Sequence, residues 1–319
     1  MCSTFFNNTM KTILIVGANG FLGRVLSRHF LAESWNVVGI ARSAHGIVSG
    51  VDYVQWDGLT IGPWAEALEW IDVMVNLAGR SVNCRYGEVN RTQIMDSRVA
   101  TTQLLDAAVA ACENPPKVWI NSSTATIYRH AEDRAQRDED GEIGSGFSVE
   151  VAKAWEAAFF KKQHIGVRKL AIRTAIVMGN EPETVWPVLQ RLAKYGLGGA
   201  MGTGKQMVSW ISDRDFARAV EWLAEKDEAV ATYNVCAPQP ITNQQLMRIV
   251  RASVDRRMGL PATKWMLELG AFFLRTETEL ILKSRWVMPT RLLKEGFEFE
   301  NMNLSAWAKQ PSNKRGRQS

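Results

Sequence analysis

The chain has 319 residues, enough for one large α/β domain and a smaller second unit. Apolar residues make up 46% and charged residues 22%, which is ordinary for a soluble globular protein. The net charge is only +5, and positions 309–319 carry much of it, with Lys309, Lys314, Arg315 and Arg317 but no acid. The rest of the chain is nearly neutral, so charge gives no case for a nucleic-acid partner or a membrane surface.

Cysteine usage and hydropathy exclude further classes. No C-x-x-C pair or histidine cluster occurs, which argues against a disulfide framework and against a metal site. No apolar run reaches the roughly 18 residues of a membrane-spanning helix, and no secretory signal is visible at the amino end. We therefore expect a cytoplasmic protein, a monomer or a homodimer, with a disordered basic tail at 309–319.

Strand-like and helix-like segments alternate through the first half of the chain. Thr12–Val16 is a continuous apolar run rich in β-branched residues, which is typical of a buried parallel strand. Further strands are predicted at 37–41, 51–56, 73–77, 118–121 and 170–177, with helices between them at 21–32, 93–111 and 149–160. This alternation predicts an α/β fold with a Rossmann-type, doubly wound parallel sheet.

The pattern loosens beyond Gly179 and predicts a smaller, mostly helical C-terminal substrate lobe. Helices are expected at 185–195, at 213–224 with Asp213 as N-cap, and from Thr242 or Asn243 to 258. A short strand at 233–235 should return to the sheet. We assign 11–178 and 211–236 to the first domain, and 179–210 and 237–308 to the substrate lobe. The acidic stretch 132–142 is expected to be a solvated loop.

A glycine-rich turn, Gly17-Ala-Asn-Gly-Phe-Leu-Gly23, lies between the first strand and the first helix. Gly17 allows a tight turn, Gly20 allows a pyrophosphate to approach the backbone, and Gly23 allows close packing of the helix. The helix then presents free N–H groups to the anion. The spacing is G-x-x-G-x-x-G rather than the G-x-G-x-x-G of many dehydrogenases. The turn predicts that the first domain binds a dinucleotide.

The end of the second strand indicates which dinucleotide is bound. Arg42, followed by Ser43, stands where an acid would bind the ribose 2′-hydroxyl of NAD. Because a guanidinium pairs bidentately with a phosphate, NADP(H) is predicted in preference to NAD(H). The alternative is that Arg42 is a solvated loop charge. Asp57, which closes the third strand, is a candidate acceptor for the adenine amino group.

Two further strand ends should lie along the dinucleotide, because ligands of doubly wound sheets bind beyond the carboxyl ends of the strands. Asn76-Leu-Ala-Gly79 ends the fourth strand, which makes Leu77, Ala78 and Gly79 candidates for cofactor contact. The run Asn121-Ser-Ser-Thr-Ala-Thr-Ile-Tyr128 ends the fifth strand and places three hydroxyls and a phenol near the expected nicotinamide position.

These motifs together resemble those of the extended short-chain dehydrogenase/reductases. Asp96-Ser-Arg98, the segments 197–206 and 209–211, and Tyr233-Asn-Val-Cys-Ala-Pro238 are similar to an atypical nucleoside-diphosphate-sugar epimerase-like branch, and 287–297 resembles its small C-terminal domain of unknown function. The resemblance spans 11–304. It implies cofactor contacts from Gly17, Asn19, Gly20, Phe21, Leu22, Arg42, Ser43, Leu77, Ala78, Gln93, Arg98 and Val177. For Arg98 an exposed helix charge is the alternative.

The chain departs from the superfamily pattern at the acid–base dyad. Typical members carry Tyr-x-x-x-Lys after the fifth strand, where the lysine lowers the tyrosine pKa from about 10. Here the window reads Phe147-Ser-Val-Glu-Val151, and neither end residue can transfer a proton. Ser123 and Tyr128 in the neighbouring loop are the catalytic candidates, and Thr124 is a further hydroxyl there. Glu150 is another conceivable base, for which a solvated charge is the alternative. For Tyr128 the alternative is that its ring closes the wall of the site.

The glycine-rich loop 198–210 offers backbone N–H groups that can hold a phosphate or carboxylate. Because relatives bind substrate between two lobes, the resemblance implies substrate contacts here, from Gly199, Lys205, Gln206 and Trp210. A flexible connection is the alternative for the loop.

Two functions fit these features. The first is an NADP(H)-dependent oxidoreductase or epimerase acting on a polar small molecule, with nucleotide-linked substrates among the candidates. The second is a non-catalytic NADPH-binding sensor or scaffold. The glycine-rich turn supports both, and the missing dyad favours the second. The hydroxyl cluster and the glycine-rich loop favour the first, which is our preferred hypothesis.

Overall fold

The structure, a computed structural model, describes residues 10–82, 84–229, 231–261 and 283–311. The strands in these ranges are β1 (Thr12–Val16), β2 (Asn36–Ala41), β3 (Asp52–Gln55), β4 (Val73–Asn76), β5 (Val118–Thr124), β6 (Arg168–Thr174), β7 (Ile176–Met178), β8 (Met207–Val208), β9 (Trp210–Ser212), β10 (Thr232–Val235) and β11 (Ile241–Thr242). The α-helices are α1 (Phe21–Ala32), α2 (Glu88–Ala111), α3 (Phe147–Phe160), α4 (Val185–Lys194), α5 (Asp213–Glu225), α6 (Asn243–Ser253), α7 (Thr290–Lys294) and α8 (Leu304–Lys309).

Seven strands form one sheet in the order β10-β6-β5-β4-β1-β2-β3, with every neighbouring pair parallel. The chain winds outwards from β1 in one direction and from β4 in the other. The order therefore reverses between β1 and β4, and such a switch point opens a crevice at the carboxyl ends of the two strands. The predicted Rossmann-type fold is confirmed.

The central strand β1 shows why the first apolar run forms a strand. Ile13 and Ile15 pack into a core on one face of the sheet, whereas Leu14 and Val16 pack into a second core on the other. All four side chains are 0% exposed. A strand that is covered on both faces needs a continuous apolar run, because alternate side chains point to opposite faces.

A third core lies between α4, α6 and α8, and it is rich in tryptophan. The rings of Trp186 and Trp307 meet edge to face with centroids 5.2 Å apart. The predicted sixth strand, 170–177, is divided in two here. β6 ends at Thr174, and β7 leaves the sheet to pair with β9, with Ile176 and Met178 packed towards this third core.

Two helix starts are fixed by capping side chains. Ser212, and not the predicted Asp213, is the N-cap of α5, and its hydroxyl accepts from the N–H of Asp215. Thr242 and Gln245 form a reciprocal capping box at the start of α6, as a Thr-x-x-Gln sequence allows. α2 begins at Glu88, earlier than the predicted residue 93, because its first turn carries no apolar stripe from which its start can be recognised.

The acidic stretch 132–142 is not the simple solvated loop that we expected. Arg129 binds Asp133 and Glu142, and Arg134 adds a second link to Glu142. Gln136 is 0% exposed and donates its backbone N–H to Trp286 O. The stretch therefore folds back against the segment near residue 287 and links that segment to the main sheet.

Three expectations concern segments that the structure describes only in part. Of the predicted tail 309–319, the residues beyond 311 lie outside the described ranges, and Lys309 ends α8. The first nine residues, which the sequence indicates to be a polar extension, and 265–274, its longest apolar run and one too short to span a bilayer, also lie outside them. Among the described residues, no helix combines the length and the apolar character needed to cross a bilayer.

A buried ionic cluster joins α2, α3 and β6 near the amino end of β6, which is the end of the sheet opposite the crevice. Asp106 accepts hydrogen bonds from Lys169 Nζ at 2.9 Å and from His164 Nε2 at 2.8 Å. Burial alone would raise the pKa of Asp106, but the hydrogen bonds from His164 and Lys169 outweigh it and lower the pKa. The Lys169 side chain is only 1% exposed, so it depends on this carboxylate.

We predict that Asp106→Asn lowers the free energy of unfolding by about 3–5 kcal/mol at pH 7, because it leaves the ammonium of Lys169 buried without a counter-charge. Urea unfolding measures the loss. Glu225→Gln, which breaks the exposed pair with Lys11, should change the same quantity by no more than about 1 kcal/mol.

The pH dependence of the free energy of unfolding, compared between wild type and Asp106→Asn, gives a second test. Because the folded pKa of Asp106 is depressed, its contribution is present at neutral pH and is lost as pH falls below about 4. The difference between wild type and Asp106→Asn should therefore narrow in acid. A difference that does not depend on pH would contradict this account of Asp106.

Candidate functional site

The glycine-rich turn touches the end of β4 directly across the switch point. Gly17 has φ +85°, in the left-handed region that favours glycine, and a Cβ there would lie 3.3 Å from the backbone of Leu77 and Ala78. The N–H of Leu77 donates to Val16 O at 2.9 Å. The crevice at this point is therefore lined by main chain from two adjacent strand ends.

Gly20 and Gly23 serve different purposes. A Cβ at Gly23 would lie 2.4 Å from Gly17 O, so α1 can pack against the turn only if this residue is glycine. A Cβ at Gly20 would meet only Gly17 O, at an ordinary 3.4 Å. Gly20 is the N-cap of α1 and no side chain caps the helix, so the first N–H groups remain available to an anion. Packing within the protein therefore does not require glycine at position 20. A ligand that approaches this backbone closely would require it, because a side chain would occupy the same space.

The residues beside the turn are partly used in packing. Phe21 lies against Gly179, where a Cβ would be 2.6 Å from the ring, and Leu22 packs against the core. Asn19 Nδ2 donates to Ser43 O at 3.3 Å, which joins the turn to the end of β2. Arg42 directly follows β2, and its side chain is exposed. Within the described ranges, its guanidinium forms no hydrogen bond or ion pair.

Asp57 is placed near this end of the sheet, but its carboxylate is already engaged. One oxygen accepts from the N–H groups of Leu59 and Thr60, and the other accepts from the Thr60 hydroxyl at 2.5 Å. The Thr60 hydroxyl and these N–H groups lower the pKa of Asp57 to about 2. Asp57 therefore shapes the turn after β3, and about one acceptor position of its exposed carboxylate remains for an adenine amino group.

Arg98 reaches from α2 to the turn that follows β4. Its guanidinium donates to Arg80 O and Ile94 O, both at 3.1 Å, and lies 3.1–3.4 Å from the position of a Cβ on Gly79. Burial lowers the pKa of Arg98 to about 10. No carboxylate among the described residues pairs with it. Arg98 is therefore not the exposed helix charge of the alternative interpretation.

Three predicted cofactor residues remain, on α2, on β7 and in the turn after β4. Gln93 is exposed in the second turn of α2, and Val177 is half-buried in β7, opposite Ile211 of β9. The N–H of Ala78 donates to Asn76 Oδ1 at 3.0 Å, which holds the β4 turn in shape.

Ser123 lies near the carboxyl end of β5 in a buried polar network. Its hydroxyl donates to Glu156 Oε1 of α3 at 2.6 Å, and Glu156 forms an ion pair with Arg173 of β6 at 2.8 Å. Both charged side chains are less than 15% exposed, at 12% and 14%. Bonds to Glu156 and Tyr128 keep the pKa of Arg173 above its usual value in spite of its burial. The Ser123 hydroxyl therefore has a fixed direction, towards the side chain of Glu156.

Tyr128 belongs to the same network and is 1% exposed. Its hydroxyl donates to Asn234 Oδ1 at 2.8 Å and accepts from Arg173 Nη1 at 3.0 Å. Burial raises the pKa of Tyr128. A phenol that is enclosed and already hydrogen-bonded is poorly placed to donate to a substrate, so the geometry favours the wall interpretation over the catalytic one.

The two positions of the missing dyad are filled by apolar packing. Phe147 and Val151 are 9% and 5% exposed and belong to one cluster with Ile94. The Phe147 ring meets Tyr86 edge to face at 5.0 Å, and the guanidinium of Arg91 lies 4.4 Å from its centroid. Phe147, with its contacts to Tyr86 and Arg91, thus stands where the superfamily pattern has its catalytic tyrosine.

The glycine-rich loop is packed rather than open. Gly199 donates to Leu260 O at 3.1 Å, and a Cβ there would lie 2.4 Å from Leu260. Gln206 is buried and closes the loop onto Met201 O at 2.8 Å, and Trp210 is buried with Nε1 donating to Gln239 O. Three of the four expected substrate contacts thus have structural roles, and Lys205 is the exposed one.

Sequence reasoning missed Glu156, Arg173 and Asn234, which orient Ser123 and Tyr128. Arg173 carried a usable signal, since a charge within an apolar strand must find a buried partner. The identity of that partner was not readable, because the three residues come from α3, β6 and β10.

Comparisons with known proteins agree with this geometry. A family model described as the NAD dependent epimerase/dehydratase family matches residues 13–236, and one described as a domain of unknown function matches 262–309. The epimerase family protein YfhF of Bacillus subtilis is 29% identical over 301 residues, covering 92% of this chain and 95% of that protein.

Two solved structures are similar over nearly the whole chain. Human epimerase family protein SDR39U1 (isoform 2), solved with NADPH, has a TM-score of 0.83 and 26% identity, and the match covers 94% of this chain and 99% of that one. A nucleoside-diphosphate sugar epimerase from Corynebacterium glutamicum has a TM-score of 0.73 and 25% identity, with 95% of this chain and 58% of that one covered.

We predict that Gly20→Val abolishes binding of the dinucleotide while the protein stays folded, because the new side chain meets little protein but fills the space in front of the α1 amino terminus. Calorimetric titration and thermal melting measure the two properties. Gly23→Val is the matched variant, and it should melt at a clearly lower temperature. Retained binding by Gly20→Val would place the dinucleotide elsewhere.

Proposed function

Because the chain belongs to the NAD dependent epimerase/dehydratase family, we propose that it binds NADP(H) in preference to NAD(H) and acts as an oxidoreductase or epimerase on a polar small molecule. The observation that carries the cofactor preference is Arg42, exposed at the end of β2 without an acidic partner in the described ranges. A guanidinium in this position suits a 2′-phosphate. The human relative that was solved with NADPH supports the same choice.

The residues present fit such a cofactor along the whole crevice. The uncapped amino terminus of α1, next to Gly20, would hold the pyrophosphate. Arg98, buried without a carboxylate in the described part of the chain, would face the negative charge beyond the β4 turn. Leu77 and Ala78 would contact the cofactor through the backbone that approaches Gly17.

The nicotinamide, when bound, supplies or accepts a hydride. Proton handling would then fall to Ser123, whose hydroxyl points at Glu156. Its oxygen can therefore accept a hydrogen bond from a water molecule, and the second hydrogen of that water can donate a hydrogen bond to a developing alkoxide, which takes its proton from bulk water. The enclosed hydroxyl of Tyr128 would act only as part of the wall.

A nucleotide-linked substrate is consistent with the relative from Corynebacterium glutamicum that is named a nucleoside-diphosphate sugar epimerase. Lys205 would be the cation of the second lobe that meets such a substrate, since it is exposed in the loop next to the buried Gln206. We place the reaction between this loop and the carboxyl edge of the sheet.

We expect Arg42→Ala to weaken NADPH binding by about tenfold or more and to leave NADH binding nearly unchanged, since a charge-assisted hydrogen bond contributes about 1.5–3 kcal/mol. Isothermal titration calorimetry with both dinucleotides measures the effect. Arg248→Gln, an exposed arginine on α6, is the matched control. Equal losses for NADPH and NADH would exclude the role given to Arg42.

A non-catalytic NADPH sensor is the second candidate, and the apolar packing of Phe147 and Val151 at the dyad positions favours it. Turnover of a carbonyl-compound panel with NADPH separates the two functions. For an enzyme, Ser123→Ala should reduce kcat by about tenfold or more, whereas Tyr128→Phe should lower the melting temperature and leave kcat nearly unchanged. Tight NADPH binding without any turnover would support the sensor.

A further inference from the structure

The amino ends of α2 and α3 form an arginine-rich surface beyond the carboxyl edge of β4 and β5. Arg91 lies in the first turn of α2, and Arg80 lies in the turn that follows β4. Arg80 Nη2 donates to Asn90 Oδ1 at 2.8 Å, which holds this arginine against the start of α2, beside Arg91. Its backbone N–H is fixed by Ser97 Oγ at 2.9 Å. Two guanidinium groups are therefore attached to one helix start.

The guanidinium of Arg91 has a defined position. It lies 4.4 Å from the centroid of the Phe147 ring, and Tyr86 supports that ring from the edge at 5.0 Å. A guanidinium stacked on an aromatic face keeps its N–H donors free in the plane of the group. Phe147 occupies the first turn of α3, where the superfamily pattern would place the catalytic tyrosine. By that pattern, Arg91 is expected to lie close to the substrate.

The charge of this surface is not balanced locally. Neither Arg80 nor Arg91 forms an ion pair with any acid in the described ranges, and Glu88, the acid of the first turn of α2, is not paired with Arg91. The N-cap residues of the two helices are Gly87 and Gly146, and no side chain caps either helix. The free N–H groups of the first turns therefore add to the positive potential. In the first turn of α3, Ser148 Oγ is buried and lacks a hydrogen-bond partner among the described residues.

We propose that the substrate carries a carboxylate or phosphate group, and that Arg91, with Arg80 beside it, binds this anion in front of Phe147. The inference rests on the proposed function, because it names the substrate class of the same crevice. It assigns the Phe147 position a binding role in place of the lost acid–base role. The aromatic ring holds the arginine, and the arginine orients the substrate.

The test uses the folded protein saturated with NADPH, so that the dinucleotide blocks the anion sites at α1 and Arg42. Calorimetric titrations with acetate and with inorganic phosphate distinguish the two anion types, and acetamide is the neutral match for acetate. We expect saturable binding of at least one anion and none of acetamide. Arg91→Gln should weaken the anion by about tenfold, Arg91→Lys by less, and Arg248→Gln not at all.

Several outcomes would overturn the inference while leaving NADPH binding intact. These are no anion binding by the NADPH-loaded wild type, equal binding by Arg91→Gln, or equal binding of acetamide and acetate. The NADPH titration, which is run first, reports separately on the proposed function. Because Arg91 is exposed, its variants should melt as wild type does, and unchanged NADPH affinity in Arg91→Gln would confirm that the loss is local.

Discussion

The ion pair between Glu156 and Arg173 is the interaction on which the proposed catalytic half of the crevice depends. It fastens α3 to β6, directs the Ser123 hydroxyl through Glu156, and holds the Tyr128 hydroxyl through Arg173. The Tyr128 hydroxyl donates to Asn234 of β10, and the side-chain amide of Asn234 donates to Met288 O. A buried pair of this kind adds little net stability but is costly to break, so it specifies one arrangement of strand ends.

The dinucleotide half of the crevice is built on a different principle, the close approach of backbone to backbone. Gly17 and Gly23 allow the β1 turn to lie against β4 and α1, and neither position tolerates a Cβ in this geometry. Gly20 alone leaves room, in front of an uncapped helix end. A charged side-chain pair thus holds one half of the crevice, whereas glycines that let two backbones approach each other shape the other half.

The sequence predicted the elements whose signal is local. The run Thr12–Val16, the glycine-rich turn and the helix 21–32 were recognised because strand pattern, turn chemistry and helix pattern follow one another within about twenty residues. The packed state of Gly199, Gln206 and Trp210 was not readable, because it depends on contacts with Leu260 and with Gln239 far along the chain. The buried position of Tyr128 depends in the same way on Asn234 and Arg173.

The distribution of charge along the carboxyl edge of the sheet connects these features. Asp57 is engaged in its own turn, and Glu156 is neutralised by Arg173, so neither presents a free carboxylate to the crevice. Arg42, Arg98 and Arg91, by contrast, are spread from the β2 end to the α3 end without acidic partners in the described ranges. Because Glu156 is paired with a cation and these three arginines are not paired with acids, the potential near Arg98 and Arg91 favours anions whatever the net charge of the chain. The small overall charge of +5 therefore says little about the ligand, and the pairing state of individual side chains says much more.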